Sequence, residues 1–244
     1  MKKIGWLLLV CITTLNSCAL LKRNRVAEHN GIEKDDYDLP IFLYPVKKKP
    51  SVKRSKKLVI FLAGDGGWIK FEDDLATKFT KKGFITIGFN SRSYFWKKKT
   101  PDETSEDISS IIKKYSLKYR ITKVYLCGYS FGADVLPFVY NRLSPLVKKK
   151  VVALEMLSPY CTTDFMVHFA DLINKSNDRY QYNVDSEITK IKIPIYCFYG
   201  KEEEQKPLAT FQQANFFLGL LDGDHHYDES GFDKIINVFH VLKN

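Results

Sequence analysis

The sequence predicts an α/β fold with a mostly parallel central sheet and helices on both of its faces. Short apolar runs recur from Leu58 onward, which is typical of strands that are buried on both faces. Amphipathic segments lie between these runs, and strands that alternate with helices favour parallel pairing. The chain has 244 residues, of which 45% are hydrophobic and 27% charged, so it contains enough material for one ordinary globular domain.

Six apolar runs are predicted to be strands, and helical periodicity occurs in two segments between them and in one after the last. The strands cover residues 58–62, 84–89, 124–127, 151–157, 195–199 and 215–221. The apolar helix faces, with spacings of three or four residues, are Phe71, Leu75 and Phe79; Ile108, Ile111, Ile112 and Tyr115; and Phe232, Ile235, Ile236 and Phe239. Residues 159–194 interrupt the alternation. This segment is predicted to form a small cap or side wall over a site, or else a helix packed on the core.

The first 17 residues are predicted to be a signal peptide. Lys2 and Lys3 precede the apolar run 4–12, which is shorter than the roughly 20 residues that span a bilayer. Cys18 follows Leu-Asn-Ser, a sequence that resembles the bacterial lipoprotein signal, in which the cysteine is lipidated and becomes the new N-terminus. The alternatives are a signal without lipidation and an uncleaved anchor. The domain at 58–244 is expected to be a lipid-anchored part of the cell envelope that faces the periplasm.

Residues 18–57 are predicted to be a basic tether, in which only 41–44 is strand-like. Seven of the eleven residues 47–57 are Lys or Arg, and such clusters attract anionic lipid headgroups at roughly 1 kcal/mol per residue. The alternative is a solvated charge run without a partner. The net charge of +10 makes the protein basic, but less strongly so than a histone. We therefore expect no nucleic-acid partner.

Several classes of chemistry are disfavoured by what the sequence lacks. The five cysteines, at 11, 18, 127, 161 and 197, form no CxxC pair, which argues against a zinc ribbon or a thioredoxin-type motif. The glycine-rich loop 62–68 lacks the G-x-x-x-x-G-K-[ST] spacing of a phosphate-binding loop. We therefore expect no metal site, no cofactor and no ATPase activity.

The nucleophile is predicted to lie in the segment Gly128-Tyr129-Ser130-Phe131-Gly132. This is a G-x-S-x-G sequence, which in α/β-hydrolases forms a sharp turn between a strand and a helix. The context fits, because the predicted strand 124–127 precedes it and the apolar segment 133–140 follows it. Ser130 is therefore the predicted nucleophile. It would also lie at a helix N-terminus, where the dipole favours the negative charge that develops during ester cleavage.

A serine nucleophile needs a base to remove its proton and a third group to orient that base. In α/β-hydrolases the histidine follows the last strand, and both His225 and His226 lie there. His225 is the favoured base and His226 the alternative. The acid should follow the preceding strand, and Glu203 is chosen from the three glutamates at 202–204. His29, His168 and His240 are expected to be solvated or structural.

The groups that stabilise the oxyanion are predicted to come from two backbone segments. The loop 62–68 contains Gly64, Asp65, Gly66 and Gly67, and glycines allow a backbone to approach a substrate carbonyl closely. The other donor is the backbone N–H of Phe131, directly after the nucleophile. Asp134, one helical turn further on, is expected to brace this turn by a local hydrogen bond.

Several segments together resemble one family, the VirJ/AcvB bacterial virulence proteins, over about residues 57–243. The segments are 62–68, 93–96 with 100–101, 128–138, 141–143 and 225–226. The resemblance implies an α/β-hydrolase exported to the periplasm. It also implies hydrolysis of an aminoacylated phospholipid, lysyl-phosphatidylglycerol, and links to type IV secretion proteins in some members.

Acidic residues near the predicted site are compatible with a cationic substrate. Eight of them fall in loops or helix starts at the sheet edge that would hold the site: Asp65, Asp73, Asp74, Glu202, Glu204, Asp222, Asp224 and Asp228. The alternative is that turns and helix N-termini are rich in Asp in any protein. The sequence thus favours a membrane-associated serine hydrolase that cleaves an aminoacyl ester. A non-catalytic binding module of an envelope complex and a general esterase or thioesterase are the other hypotheses.

Overall fold

The computed structural model describes residues 29–46, 56–168 and 181–241. The signal peptide, Cys18 and most of the basic tether lie outside these ranges. The strands are β1 (Ile32–Asp36), β2 (Leu39–Tyr44), β3 (Lys57–Leu62), β4 (Ile85–Phe89), β5 (Lys123–Tyr129), β6 (Val151–Leu157), β7 (Thr162–Thr163), β8 (Tyr182–Asn183), β9 (Ile195–Gly200) and β10 (Phe216–Leu221). The helices are α1 (Lys70–Lys81), α2 (Ser91–Tyr94), α3 (Pro101–Tyr119), α4 (Phe131–Arg142), α5 (Pro145–Lys148), α6 (Val184–Ile188) and α7 (Phe232–Val241).

Eight strands form the central sheet in the order β1-β2-β4-β3-β5-β6-β9-β10. All pairs from β4 to β10 are parallel, and β2 pairs with both β1 and β4 in the antiparallel direction. All six predicted strands are present. The parallel strands bring their carboxyl ends to one edge of the sheet, where the loops that follow β3, β5, β9 and β10 can meet.

Helices cover both faces of the sheet, so the predicted fold class is confirmed. On one face, Ile111 of α3 and Leu136 of α4 belong to the same buried cluster as Ile60 and Leu126 of the sheet. On the other face, α1 and α7 pack on an aromatic cluster that includes Phe61, Phe79, Tyr125 and Phe239. Helix α3 starts where the sequence gives it a strong start signal. Thr100 accepts a hydrogen bond from the backbone of Glu103, the Glu103 side chain bonds back to Thr100, and Pro101 is the first helical residue.

The predicted boundary between tether and domain must be corrected. Residues 32–44, which the sequence assigned to the tether, form the hairpin of β1 and β2, and β2 pairs with β4. Tyr37 and Asp38 join the two strands with φ angles of 59° and 58°, as in a two-residue hairpin turn. Strand β1 is the charged sequence Ile-Glu-Lys-Asp-Asp at the edge of the sheet. Such a strand has no apolar pattern, because neither of its faces has to be buried.

The segment predicted as a cap combines both of the expected roles. Thr162 and Asp164 line a cavity at the carboxyl edge of the sheet, whereas Phe165 is buried and contacts the rings of Phe95 and Phe138. Helix α6 packs on α4, where Glu187 bonds to Arg142. Residues 169–180 lie outside the described ranges. Within those ranges, no helix has the length and apolar character needed to cross a membrane.

One carboxyl group is buried within the central sheet. Glu155 of β6 is fully buried, and neither of its side-chain oxygens is paired within the described part of the chain. Cys127, whose thiol is a weak donor, lies opposite it on β5. Burial raises the pKa of Glu155 well above its usual value, because a carboxylate in an apolar core loses its hydration.

We expect this residue to make stability fall as the pH rises. Above the pKa of Glu155 in the unfolded chain, the unfolded state releases this proton while the folded state retains it, so the free energy of unfolding decreases until the pKa of the folded state is reached. The variant Glu155→Gln should remove this contribution, which is at most about 1.4 kcal/mol per pH unit. Its gain over the wild type in urea unfolding should grow from pH 5 to pH 8. Glu106→Gln, at an exposed position, is the control, and an equal slope for both variants would contradict the prediction.

Candidate active site

Ser130 lies on a sharp turn between β5 and α4. Its φ and ψ angles are 49° and −122°, a left-handed conformation that is strained for any residue except glycine. A Cβ atom at Gly128 would lie 2.4 Å from the carbonyl oxygen of Gly132, and one at Gly132 would lie 2.3 Å from that of Leu62. Both flanking positions therefore require glycine. The turn is held by a hydrogen bond from Ser130 N to Leu157 O at 2.8 Å.

His225 and Glu203 meet across the loops that follow β10 and β9. The Nδ1 atom of His225 lies 3.1 Å from Oε2 of Glu203. Tyr129 also fixes this loop, because its hydroxyl donates to the carbonyl oxygen of His225 at 3.1 Å and its ring lies 5.2 Å from the imidazole. The ring is thus oriented through Nδ1, and Nε2 is the nitrogen available to take a proton.

The carboxyl group of Glu203 is held by three donors. Oε1 accepts from Ser158 Oγ at 2.6 Å and from Gly200 N at 2.5 Å, and Oε2 faces His225. Burial alone would raise the pKa of Glu203, but the hydrogen bonds from His225, Ser158 and Gly200 outweigh it and leave this pKa lowered. Glu203 is therefore charged at neutral pH and can stabilise a protonated histidine.

Ser158 and Tyr227 support this carboxylate and were missed by the sequence analysis. The Tyr227 hydroxyl lies 2.5 Å from Ser158 Oγ and 3.1 Å from the carbonyl oxygen of Phe198. Because Ser158 donates to Glu203, Tyr227 is the donor between the two hydroxyls. Ser158 has a φ of 48° directly after β6, a position that follows from the backbone path and leaves no motif in the sequence.

Of the two histidines, only His225 contacts Glu203 among the described residues. His226 is exposed, its backbone N–H donates to Asp224, and its ring lies 6.1 Å from that of Tyr129. Both histidines and Ser130 line the same cavity. No hydrogen bond joins Ser130 Oγ to His225 in this part of the chain, and such contacts commonly tighten when substrate binds. The geometry favours His225, and its role as the base stays a prediction.

The loop after β3 lies against the nucleophile, but its four predicted residues are not equivalent. A Cβ at Gly64 would lie 3.4 Å from Cβ of Ser130, and Asp65 lines the cavity. Gly67 has a φ of 89°, and its N–H donates to Gly64 O at 3.1 Å. The Gly67 amide therefore shapes the turn and is not directed at a substrate, which corrects its predicted role. The Gly64 backbone in turn bonds to the buried carboxyl group of Glu72. The oxyanion role of the amides of Asp65 and Gly66, and of the Phe131 N–H at the first residue of α4, stays a prediction.

The cavity has a volume of about 660 Å³ and an acidic lining. Its lining includes Ser130, His225 and seven carboxyl groups, and none of its described residues is Lys or Arg. The seven are Asp65, Asp134, Asp164, Glu202, Glu203, Glu204 and Asp224. Carboxylates in a partly enclosed space reinforce one another's field. The site is therefore suited to a cationic ligand.

Only half of the eight acidic residues predicted to lie near the site, here called the acidic rim, line the cavity. Asp65, Glu202, Glu204 and Asp224 line the cavity, but Asp73, Asp74, Asp222 and Asp228 do not. Asp73 is buried and accepts from Tyr44 at 2.5 Å, while Asp74 and Asp222 form ion pairs with Lys70 and Lys201. The position of a residue in the sequence shows at which end of the strands its loop lies, but not where its side chain points. The geometry of each turn decides that direction, and it directs these four side chains away from the cavity.

Asp134 and Asp164 are the acidic residues that the predicted rim omitted. Burial raises the pKa of Asp134 well above its usual value, and its Oδ1 accepts from Tyr160 N at 2.5 Å. It therefore braces the cavity wall, and not the turn that carries Ser130 as predicted. Asp164 bonds to His168 at 2.5 Å. His29 does not line the cavity, and its Nδ1 atom bonds to Gly31 O. The side chain of His240 is not among those that the structure describes.

The described residues contain no group of three His, Cys, Asp or Glu side chains arranged to hold a metal ion. Within the described ranges, no disulfide bond joins the buried Cys127 and Cys197 or the half-buried Cys161.

Solved structures with this fold include several esterases. Est1E from Butyrivibrio proteoclasticus is 14% identical over 85% of this chain and 95% of its own, with a TM-score of 0.57. The Pyrococcus furiosus esterase Pf2001 is 17% identical over 87% and 90%, with a TM-score of 0.55. A thioesterase domain from the curacin biosynthetic pathway is 10% identical over 88% and 99%, with a TM-score of 0.54. At these identities the likeness establishes the fold, that of α/β-hydrolases.

Sequence comparison identifies the family. No curated protein matches the chain. The model of one family, described as bacterial virulence protein (VirJ), matches residues 56–241. This range includes β3 to α7 with every residue of the cavity, so the resemblance seen in the sequence is confirmed. The chain belongs to the VirJ family of bacterial virulence proteins.

Proposed function

We propose that this protein is a serine hydrolase that cleaves the aminoacyl ester of an aminoacylated phospholipid of the lysyl-phosphatidylglycerol type. One observation carries the proposal. Ser130, His225 and Glu203 share one cavity, and all other charged groups that line it among the described residues are acidic. The histidine and carboxylate can activate the serine, and the remaining carboxylates can attract the ammonium groups of a lysyl ester.

The proposed reaction has two halves: transfer of the lysyl group to Ser130, and hydrolysis of the resulting ester. His225 and Glu203 act in both. His225 Nε2 takes the proton of Ser130 as Oγ attacks the ester carbonyl, and Glu203 stabilises the imidazolium. The carbonyl oxygen becomes an oxyanion that is held by Phe131 N–H and an amide of the loop after β3. The C–O bond to the glycerol breaks, and His225 gives its proton to the leaving phosphatidylglycerol. Water then attacks the lysyl-enzyme by the reverse sequence and releases lysine.

Location at a membrane belongs to the same proposal. A lipidated Cys18 and the basic run 47–57 would keep the domain beside anionic lipid, where an aminoacylated phospholipid is found. The signal peptide would place it in the envelope, facing the periplasm. Membership of the VirJ family makes secretion-system proteins candidate partners.

A substrate panel tests the proposal directly. The purified chain should release lysine and intact phosphatidylglycerol from lysyl-phosphatidylglycerol, with both products followed. It should turn over a neutral ester of equal reactivity more slowly, since that ester lacks the cation. Release of fatty acids from ordinary phospholipids at an equal or higher rate would contradict the aminoacyl assignment and indicate a general esterase instead.

The contribution of the acidic lining can be measured with a matched pair of variants. The double variant Asp224→Asn/Glu204→Gln removes two charges that line the cavity. It should reduce the preference for the lysyl ester over a neutral ester about tenfold, which corresponds to about 1.4 kcal/mol in the transition state. Asp222→Asn/Asp228→Asn removes two charges from positions outside the lining and should leave the preference nearly unchanged. Equal effects of the two double variants would show that only the net charge matters.

A further inference from the structure

The two edges of the central sheet differ in how they are protected. Edge strand β1 is charged, whereas edge strand β10 is Phe-Phe-Leu-Gly-Leu-Leu. Three residues of β10, Phe217, Leu218 and Leu220, have exposed fractions of 47%, 43% and 46%. No charged residue occurs anywhere from 207 to 221. Natural sheets protect their edges with charges, proline or a covering element, and β10 has neither charge nor proline.

The outer side of β10 also carries backbone groups that can pair. The carbonyl oxygens of Asn215 and Leu221 accept from β9 and from Lys201. Because backbone polar groups alternate along a strand, those of Leu218 and Leu220 point away from β9. Within the described ranges, β10 pairs with β9 alone. The backbone N–H and C=O groups of Leu218 and of Leu220 therefore face outward, beside exposed apolar side chains.

These backbone groups argue against insertion of the edge into lipid. Hydrocarbon offers no hydrogen-bond partners, and open sheet edges do not occur within it. A second strand satisfies the same groups and covers the leucines. The most closely matched strand is β10 of another copy, because a two-fold axis presents the same donors, acceptors and apolar side chains on both sides.

Charge selects the direction and register of the pair. An antiparallel pairing centred on Gly219 places Leu218 opposite Leu220 of the second copy, so both outward amide pairs are satisfied. It also places Asp222 opposite the uncharged Phe216 of that copy. A parallel pairing in register would put Asp222 beside Asp222, and like charges that face each other are destabilising.

We propose that this protein forms a homodimer through antiparallel pairing of β10 with β10 of a second copy. The two eight-stranded sheets join into one continuous sheet, and Gly219 lies on the two-fold axis. The interface is independent of the proposed catalytic activity, since none of its residues lines the cavity.

Analytical ultracentrifugation of the purified full chain over a range of concentrations tests the dimer. The wild type should show a monomer–dimer equilibrium. The double variant L218K/L220K places lysine opposite lysine and should lower the association constant about tenfold or more. The control L117K/L146K changes two leucines that are 85% and 77% exposed elsewhere and should dimerise like the wild type. A wild type that stays monomeric, or a dimer that resists L218K/L220K, overturns the proposal.

Cross-linking checks the register and does not depend on how the lysine variant folds. Directly opposed residues in a hydrogen-bonded antiparallel pair have Cα atoms about 5.5 Å apart, within the range of a disulfide. The double variant L218C/L220C should therefore form a covalent dimer on oxidation, and the single variants L218C and L220C much less. Equal cross-linking of all three overturns the register. If the wild type is monomeric and L218K/L220K weakens binding to phosphatidylglycerol vesicles more than L117K/L146K does, the edge contacts lipid and the proposal fails.

Discussion

Replacing Ser130 with alanine is expected to lower kcat on the best substrate roughly 10⁴-fold or more. Only Oγ is removed, so no covalent intermediate can form, while the backbone hydrogen bond to Leu157 and the glycines that flank the turn stay in place. The thermal unfolding temperature should change little. Turnover measured on the substrate panel, together with the melting temperature, separates a chemical loss from misfolding.

Labelling with a fluorophosphonate gives a second measure of the same assignment. The wild type should label at Ser130, and the alanine variant should not. Ser110→Ala, on helix α3 away from the cavity, is the control and should retain both labelling and activity. A Ser130→Ala variant with a tenth of the original activity would refute the nucleophile. Failure of the wild type to label at Ser130 would favour the binding module, which keeps the scaffold without turnover.

Replacing His225 with alanine is expected to cost nearly as much as replacing Ser130. In the proposed mechanism the imidazole takes the serine proton and later protonates the leaving group, so neither half of the cycle would proceed without it. The double variant Ser130→Ala/His225→Ala should be little worse than either single variant, because groups that act as a unit are not additive. Single-turnover rates of the three variants are the measurement.

The neighbouring histidine provides a control in the same loop. His226→Ala should retain most of the activity, since His226 does not contact Glu203 among the described residues. Glu203→Gln should cost less than His225→Ala, because it removes the orienting charge and leaves the base in place. An inactive His226→Ala variant beside an active His225→Ala variant would reverse the assignment of the base.

The sequence was informative wherever one local segment has to satisfy a strict requirement. The turn at 128–132 can be recognised in the sequence, because its shape excludes side chains at both glycine positions and so requires the G-x-S-x-G pattern. The apolar strands are equally visible, since burial on both faces leaves no polar positions. Glu203 and His225 could be placed after their strands because parallel strands end at one edge, which brings loops from distant parts of the chain together.

The sequence could not reveal features that depend on contacts between distant segments. The hairpin of β1 and β2 was assigned to the tether, because β1 has no apolar pattern and only the pairing of β2 with β4 places it in the sheet. The acidic rim was only half right for a related reason. Asp222 and Asp224 are two residues apart in one loop, yet one pairs with Lys201 and the other lines the cavity.

The sequence by itself therefore determined the fold class, the family and the candidate nucleophile, since these follow from periodicity and from one motif with strict local geometry. The tertiary structure decided which histidine contacts Glu203 and how Ser158 and Tyr227 support the Glu203 carboxylate. It also showed that the Gly67 amide bonds to Gly64 O within the glycine loop and is therefore not directed at a substrate. The contacts of Glu203 with His225 and of Ser158 with Tyr227 are 3.1 Å and 2.5 Å long, and they join residues that are 22 and 69 positions apart. Their formation depends on how the loops pack at the sheet edge, and no local pattern encodes that packing.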